Sequence, residues 1–364
     1  MSEPRQASAA RLLRGPLLVV GTGLLGTSIG LAASRAGVEV WLADSRRRHV
    51  RTASGLGAGA PAPEGGVPQL VVVAVPPDHI ADVVADSLDT GAVVTDVGSV
   101  KQQPLDAVTA RVDGEALTRY VGSHPMAGSE RSGPLAASAA LFDGRPWAVT
   151  PHDRSAPEAV VLVDELVALC GAQPVHLDPT EHDRAVARTS QVPHLLAVLA
   201  AGRLADAPAN HLSLSGQGVR DVTRIAAGDP VLYGQIIRAN QAAVADLLVE
   251  VRAELDRVIE DVGSGSGAAL AEVLARGVSG TRAIPGKHGG PTLETAAVFI
   301  VVPDHPGELA RLFADVGEIG VNIEDVRIDH DPGRPVGLVE LQVAADAAEG
   351  LEEALEARSW TAHR

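Results

Sequence analysis

Residues 19–26 read Val19-Val20-Gly21-Thr22-Gly23-Leu24-Leu25-Gly26, and the next apolar run, Val38 to Ala43, closes on Asp44. Three glycines at the G-x-G-x-x-G spacing follow a short apolar strand and open a helix. Gly21 allows the tight strand-to-helix turn, Gly23 lets the backbone approach a pyrophosphate, and Gly26 lets the helix pack on the strand. Leu24 and Leu25 begin a helix whose free N–H groups face the phosphates. Asp44 stands 18 residues past Gly26. A carboxylate there accepts hydrogen bonds from a ribose diol and repels a 2′-phosphate, which favours NAD over NADP. Arg46, Arg47 and Arg48 follow at once and soften that preference. A Gly-rich loop in some other α/β protein is the bland alternative, and the strand–turn–helix context with its trailing acid argues against it.

Composition bounds the partners. The 364 residues suggest two or three domains, and 46% hydrophobic residues is ample for packed cores. A net charge of −16 argues against nucleic-acid or anionic-membrane binding. No apolar run is long enough to span a bilayer. The first 15 residues lack a proper apolar h-region and read as a short disordered lead-in rather than a signal peptide. The single cysteine, Cys170, excludes an intrachain disulfide framework and a Cys-based zinc site. It reads as a buried core thiol, and no metal site is expected. These features fit a soluble cytoplasmic enzyme.

The first segment alternates strands and helices. Strands are expected at 17–20, 39–43, 70–75, 92–96, 120–123, 147–150 and 174–177, with helices at 24–36 and 156–169. That alternation means a parallel, doubly wound sheet of the α/β Rossmann type, with ligands beyond the carboxyl ends of its strands. Three loops leave strand ends there: Val75-Pro76-Pro77, Asp96 to Lys101, and Gly122 to Pro125. From Thr180 the pattern turns helical. Pro193 lies inside an apolar-periodic stretch and should kink it. Asp229-Pro230 starts a helix, aspartate as cap and proline first, expected to run to about Val262. On it Ile237, Val244, Leu248, Val251, Leu255, Val258 and Val262 are spaced 7, 4, 3, 4, 3 and 4, a seam that packs along another long helix. At 1.5 Å per residue the helix would be about 50 Å long. An all-α dimer domain is preferred over packing within the chain alone. A Gly/Pro-dense linker follows from Ser279 to Pro291. Beyond it a β-α-β-β-α order makes a small α/β sandwich.

Among twelve histidines, His124 stands out, because it follows a strand on the loop side of the sheet where a nicotinamide would lie. Histidine is the natural general base near neutral pH. Taken alone, a structural role stays open for it. Ser99, at the end of the preceding strand, is by itself a loop serine or a helix cap. Arg220 and Arg224 could clamp carboxylates bidentately. With Asp221 they also fit a surface salt-bridge cluster, and spacing does not decide.

Four segments carry a resemblance: Gly21 to Gly30, Asp96-Val-Gly-Ser-Val-Lys101, Gly122-Ser-His-Pro-Met-Ala-Gly-Ser-Glu130, and Arg220-Asp-Val-Thr-Arg-Ile-Ala226 with Asp229-Pro230. In this order and spacing the chain resembles a bacterial prephenate dehydrogenase. Its tail, through Val302 to Leu309 and Gly320 to Asp325, is similar to an ACT domain. The resemblance implies a Rossmann-type NAD-binding domain at 15–178, a helical substrate and dimerisation domain at 179–280, a linker at 281–293 and an ACT (ferredoxin-like) regulatory domain at 294–364. It implies a homodimer.

It also implies roles. His124 accepts a hydrogen bond from the substrate's ring hydroxyl and Ser99 helps to orient it. Arg224 binds a substrate carboxylate, and Arg220 also faces substrate acids. His194 and Tyr233 belong to the pocket. Gln191 stands where the family often has a second histidine. Glu130 and Asp221 match acids linked to gating. Gly21, Gly23, Leu24, Leu25, Gly26, Asp44, Val75, Pro76 and Ser99 belong to the cofactor site. The implied reaction is NAD-dependent oxidative decarboxylation of prephenate. Tyrosine is the expected inhibitory effector, at Asp304, Pro306, Gly307, Asn322 and Ile323. The alternatives are an arogenate dehydrogenase and, from another class, a non-catalytic sensor of NAD and an amino acid. A sensor has no need of His124, Ser99 and Arg224 together.

Overall fold

The computed structural model describes residues 12–128, 132–284, 294–330 and 336–364. The chain divides into two compact units, Met1–Leu255 and Asp256–Arg364. In the first, β1 (Leu17–Val20), α1 (Leu24–Arg35), β2 (Val40–Ala43), α2 (Arg47–Gly55), β3 (Ala60–Pro61), β4 (Leu70–Val73), α3 (Ile80–Leu88) and β5 (Val93–Asp96) follow one another. The strands form a five-stranded parallel sheet in the order β3-β2-β1-β4-β5. All four residues of β4 are buried, as an apolar strand covered on both faces requires.

The parallel pattern continues to Tyr120, which bridges Val94 of β5, and then breaks between β6 and β7. After α4 (Gln102–Thr109) and the single-turn α5 (Gly114–Leu117), β6 (Gly122–Pro125), β7 (Pro146–Thr150), α6 (Pro157–Leu169) and β8 (Gln173–His176) form a three-stranded sheet, joined to β5 by one parallel bridge between Val94 and Tyr120. In it β6 and β7 are antiparallel. Between them the described chain holds only a 3-10 turn, Pro134–Ala136, and without a crossover helix a strand returns antiparallel. β7 and β8, joined through α6, are parallel. Cys170 lies in the core, and burial pushes its thiol up to about 12.

Residues 12–15, read as part of a disordered lead-in, are ordered. The N–H groups of Leu12 and Leu13 donate to the Glu165 carboxylate. Gln69 accepts from the N–H groups of Arg14 and Gly15 and donates to the Leu12 carbonyl. Leu13 is fully buried, so residues 12–15 belong to the domain's packing.

A helical region follows: α7 (Pro179–Val186), a π-turn at Ala187–Gln191, α8 (Val192–Gly202), the single-turn α9 (Ala209–Leu212), α10 (Gln217–Ile225) and α11 (Pro230–Ala239). The disturbance expected from Pro193 is the widened turn before it. Proline has no N–H to give the previous turn, and its ring crowds the carbonyl four residues back. Asp229 caps α11 through the N–H groups of Val231 and Leu232.

The single helix expected from 229 to 262 is broken at Asn240 (φ −116°, ψ 34°), and α12 runs over Gln241–Ser264. The break has a cause, because the buried Asn240 amide donates to the Asp183 carbonyl and to Gln191 Oε1, both at 2.8 Å. The first half of the seam packs within the chain: Val244 is buried with Ala187 and Val192, and Ile237, Leu248 and Val251 pack around them.

In the second unit α12 turns back into α13 (Ala268–Arg282). Gly267 cannot cap it with a side chain, and Asp261 accepts the Leu270 N–H at 3.0 Å instead. Residues 279–282, read as linker, are helical, and 285–293 lie outside the described residues. The tail has β9 (Thr295–Pro303), α14 (Glu308–Ile319), β10 (Asp325–His330), β11 (Val336–Ala344), α15 (Ala348–Glu356) and β12 (Thr361–His363). Its strands make one antiparallel sheet, β10-β11-β9-β12. The helices cover it through Leu312, Val316, Leu351 and Leu355. The three residues of β12 are too few to carry a strand pattern in the sequence.

Candidate active site

The nucleotide edge forms where β1, β2 and β4 end. Gly21 leaves β1 at φ +97°. A Cβ there would stand 2.3 Å from the Ala74 carbonyl oxygen, and a Cβ on Gly26 would stand 1.9 Å from that of Gly21. Gly23 differs, because nothing lies within 4 Å of the Cβ it lacks. It begins α1, whose end no side chain caps. The first N–H groups of α1, at the half-buried Leu24 and Leu25, therefore face an open space that suits a phosphate.

Asp44 is fixed beside it. Its Oδ2 accepts from the Thr22 N–H at 2.7 Å and the Thr22 hydroxyl at 3.0 Å, and its Oδ1 accepts from the Arg46 N–H at 2.8 Å. Partial burial would push this carboxyl up, but the hydrogen bonds outweigh it and hold it below its usual value. The ionised group keeps a lone pair on Oδ1 for a ribose diol. Val75 and Pro76 leave β4 next to a 3-10 turn, Pro77–His79. There Asp78 accepts from Gln235 Nε2 of α11 at 2.6 Å, which ties the mouth of the cradle to the helical region.

Past β5 the chain builds a buried polar network. The Lys101 ammonium pairs with the Asp96 carboxylate and donates to the Ser123 carbonyl at 2.7 Å. Tyr120 donates its hydroxyl to Asp96 Oδ2 at 2.8 Å. Burial pulls the lysine down from its ordinary value against the pull of Asp96, and burial with Asp96 drives the Tyr120 phenol well up. Such a pair is no evidence of net stability, but losing one partner strands a buried charge. Here it sets the turn from Val97 to Val100, which carries the half-buried Ser99.

His124, half-buried in β6, places its Nδ1 3.0 Å from Nε2 of His182. His182 Nδ1 lies 2.8 Å from Asp183 Oδ1. Asp183 also accepts the N–H groups of Lys101 (2.8 Å) and Gln102 (2.9 Å), capping α4 from outside. Burial above all, then His182 and the Lys101 charge, hold the His124 imidazole well below its usual value. It is neutral at pH 7 and able to take a proton.

A second pair lies on the helices. His194 stacks on Tyr233, ring centroids 3.5 Å apart and 3° from parallel. Both His194 ring nitrogens are buried without a partner, and burial lowers its pKa. α10, which packs on α8, carries Arg220 and Arg224, both exposed. Among the described residues no ion pair engages either. Asp221 accepts from Gln217 Nε2 at 3.0 Å. Gln191 is buried with its amide oxygen on Asn240. Glu130 lies outside the described residues, as do Lys287 and His288 of the linker.

In the tail, Asp304, Pro306 and Gly307 are exposed in the β9–α14 loop, where Gly307 sits at φ +96°. The Asn322 amide donates to Glu324 at 2.7 Å, and Ile323 packs on the sheet core.

His182, Asp183 and Asn240 were missed in the sequence, and Lys101 was read only as part of a motif. One signal for Lys101 was available, because the chain's only lysines are Lys101 and Lys287. Its use where arginine is otherwise the rule points to a site that needs a compact cation.

Comparison with known proteins matches residues 29–176 to the nucleotide-binding domain of prephenate dehydrogenase and residues 178–276 to its dimerization domain. A Streptomyces niveus protein named "Probable prephenate dehydrogenase NovF" is 39% identical over 95% of this chain and 99% of its own. The prephenate dehydrogenase of Lactococcus lactis is 26% identical over 93% and 96% of the two chains. The crystal structure of prephenate dehydrogenase from A. aeolicus, in complex with hydroxyphenyl propionate and NAD+, shares the fold. Its TM-score is 0.66, at 24% identity over 73% of this chain and 96% of that one. A dinucleotide cradle, a neutral histidine at the sheet's edge and a relative of this likeness along nearly the whole length lead to one assignment: the chain belongs to the prephenate dehydrogenase family.

Proposed function

We propose that this enzyme catalyses the NAD-dependent oxidative decarboxylation of prephenate to 4-hydroxyphenylpyruvate. The observation that carries the reading is His124, an imidazole kept neutral on the strand after the nucleotide-binding sheet. Prephenate is a cyclohexadiene with a C4 hydroxyl, a ring carboxylate and a pyruvyl arm. Bound NAD supplies the hydride acceptor. Neutral His124 takes the C4 hydroxyl proton as that carbon is oxidised, which favours a carbonyl and then loss of the ring carboxylate as carbon dioxide. The ring becomes aromatic, and the proton returns to the phenolic oxygen. Ser99 helps to orient the hydroxyl. Arg224, with Arg220 beside it, holds a carboxylate, and His194 stacked on Tyr233 offers two unpaired ring nitrogens to the pocket. The test is NADH formation from prephenate and from arogenate in parallel. Turnover of prephenate supports the reading, and a preference for arogenate would move the chain to the sister activity.

Two variants separate binding from chemistry. Arg224→Ala should raise KM for prephenate about 10–150-fold, the loss of a charged hydrogen bond of about 1.5–3 kcal/mol. Its kcat should change little, because the carboxylate is already present in the ground state. Unchanged KM would remove the clamp. Asp44→Ser should weaken NAD by a similar factor and narrow the preference over NADP, measured from kcat/KM for each cofactor; an unaltered ratio would sink the ribose assignment.

The working form is read as a homodimer. Residues 178–276 match a dimerization domain, and its helices α8, α10 and α11 leave the apolar Leu199, Val222 and Val231 61%, 43% and 71% exposed in the single chain, which suits contact with a second copy. The tail's β-α-β-β-α-β order fits a ferredoxin-like ACT domain. Tyrosine is its effector in this reading, at Asp304 to Gly307 and Asn322-Ile323, acting as an inhibitor. Inhibition of the full-length enzyme by tyrosine checks it.

A further inference from the structure

We propose that Asp183, acting through His182, sets the tautomer of His124 and so makes its outer nitrogen a proton acceptor. The proposal rests on His124 being the base of the reaction above. Three groups in a row fix where each hydrogen sits. Asp183 is surrounded by donors: its Oδ1 faces the Lys101 N–H and His182 Nδ1, and its Oδ2 faces the Gln102 N–H. A carboxylate that receives two backbone N–H groups at the start of α4 is acceptor-only. The His182 proton must therefore sit on Nδ1.

In neutral His182, Nε2 then carries a lone pair, and it lies 3.0 Å from His124 Nδ1. Two lone pairs at that distance repel, so His124 must carry its proton on Nδ1. Its Nε2 is left bare, which is the state needed to accept a hydroxyl proton. When His124 becomes charged during the step, the same contact stabilises the imidazolium through an Asp183-backed acceptor, as the third member of a catalytic triad does.

His182 and Asp183 act through His124 and are positioning residues. Neither is replaceable by the bulk solvent, since His182 is 1% and Asp183 5% exposed. Asn240 holds the Asp183 carbonyl, and the π-turn begins at Ala187, four residues on. The relay is therefore set into the same helix that goes on to carry His194.

Asp183 also caps α4, so His182 is the cleaner position to change. In His182→Gln a carbonyl oxygen can still accept from His124 Nδ1–H. In His182→Leu nothing can. His182→Leu is expected to lose about 10²-fold or more in kcat, with KM for prephenate and the NAD dissociation constant within about threefold of wild type. His182→Gln is expected to stay within about tenfold of wild-type kcat.

The direct readout is the 15N spectrum of full-length enzyme labelled at histidine, with the His124 signals identified by their loss in His124→Asn. Nδ1 protonated and Nε2 bare is the expected pattern. A protonated Nε2 in the native enzyme, equal kcat in the Gln and Leu variants, or a Leu variant within about threefold of wild type would overturn the proposal. Should His182→Leu not fold, the native spectrum decides. Wild-type turnover of prephenate is the control: its absence would fail the functional reading and leave the tautomer result standing.

Discussion

His124→Asn is expected to lower kcat for prephenate by about 10²–10⁴-fold, the range for a positioned general base, while prephenate and NAD still bind. The effect is large because an asparagine amide cannot take the proton that the imidazole takes, and small enough to leave residual turnover through positioning alone. The wild-type pH profile carries the complementary result. His124 must be neutral to act, and burial, with His182 and Lys101, holds its pKa well below 6.5. kcat/KM should therefore rise with pH through that lowered pKa and reach its plateau by pH 6.5. An acid limb with its midpoint above 6.5, or an asparagine variant of unchanged turnover, would take His124 out of the mechanism. The same depression bears on stability. Between the native pKa and 6.5 the unfolded chain binds a proton that the native state does not, so stability falls as pH drops through that window. The asparagine variant should lose that part of the pH dependence.

Much of this enzyme was legible in the chain because its signals are local. β1, α1 and α6 follow from apolar runs, glycine punctuation and a proline at a helix start, all within a dozen residues. Asp229-Pro230 states its own cap. The misread parts depend on partners far away in sequence. His182 and Asp183 form an ordinary dipeptide on α7 until the fold sets them against His124 and the start of α4. Asn240 reads as one polar position in a long helix, and only its bonds to Asp183 and Gln191 make it a break. The antiparallel β6–β7 pair hid behind an expectation of continued crossovers, although residues 126–145 hold no helix-length apolar period. Tyr120, Asp96 and Lys101 are fully buried polar groups, and single-residue hydropathy assigns such groups to the surface.

The glycine fingerprint contains two different physical demands, and alanine at Gly26 and at Gly23 should separate them. At Gly26 a Cβ would stand 1.9 Å from the Gly21 carbonyl oxygen and 3.0 Å from a Val19 methyl. The first contact is backbone, so α1 must shift off β1. Overpacking costs about 1–3 kcal/mol and more where the neighbour cannot yield, which places Gly26→Ala at or beyond the upper end. Its melting temperature should fall with and without NAD, and the shift of α1 away from β1 should weaken NAD binding as well, because the first N–H groups of α1 move with it. At Gly23 the protein offers the new methyl open space. Gly23→Ala should therefore keep the wild-type melting temperature without cofactor and lose NAD affinity alone, because the only thing the methyl can meet is the bound phosphate. Calorimetric unfolding of both proteins with and without NAD distinguishes the two. If Gly23→Ala bound NAD as the wild type does, the dinucleotide would not approach the chain at that residue, and the placement of the pyrophosphate over the start of α1 would have to be abandoned.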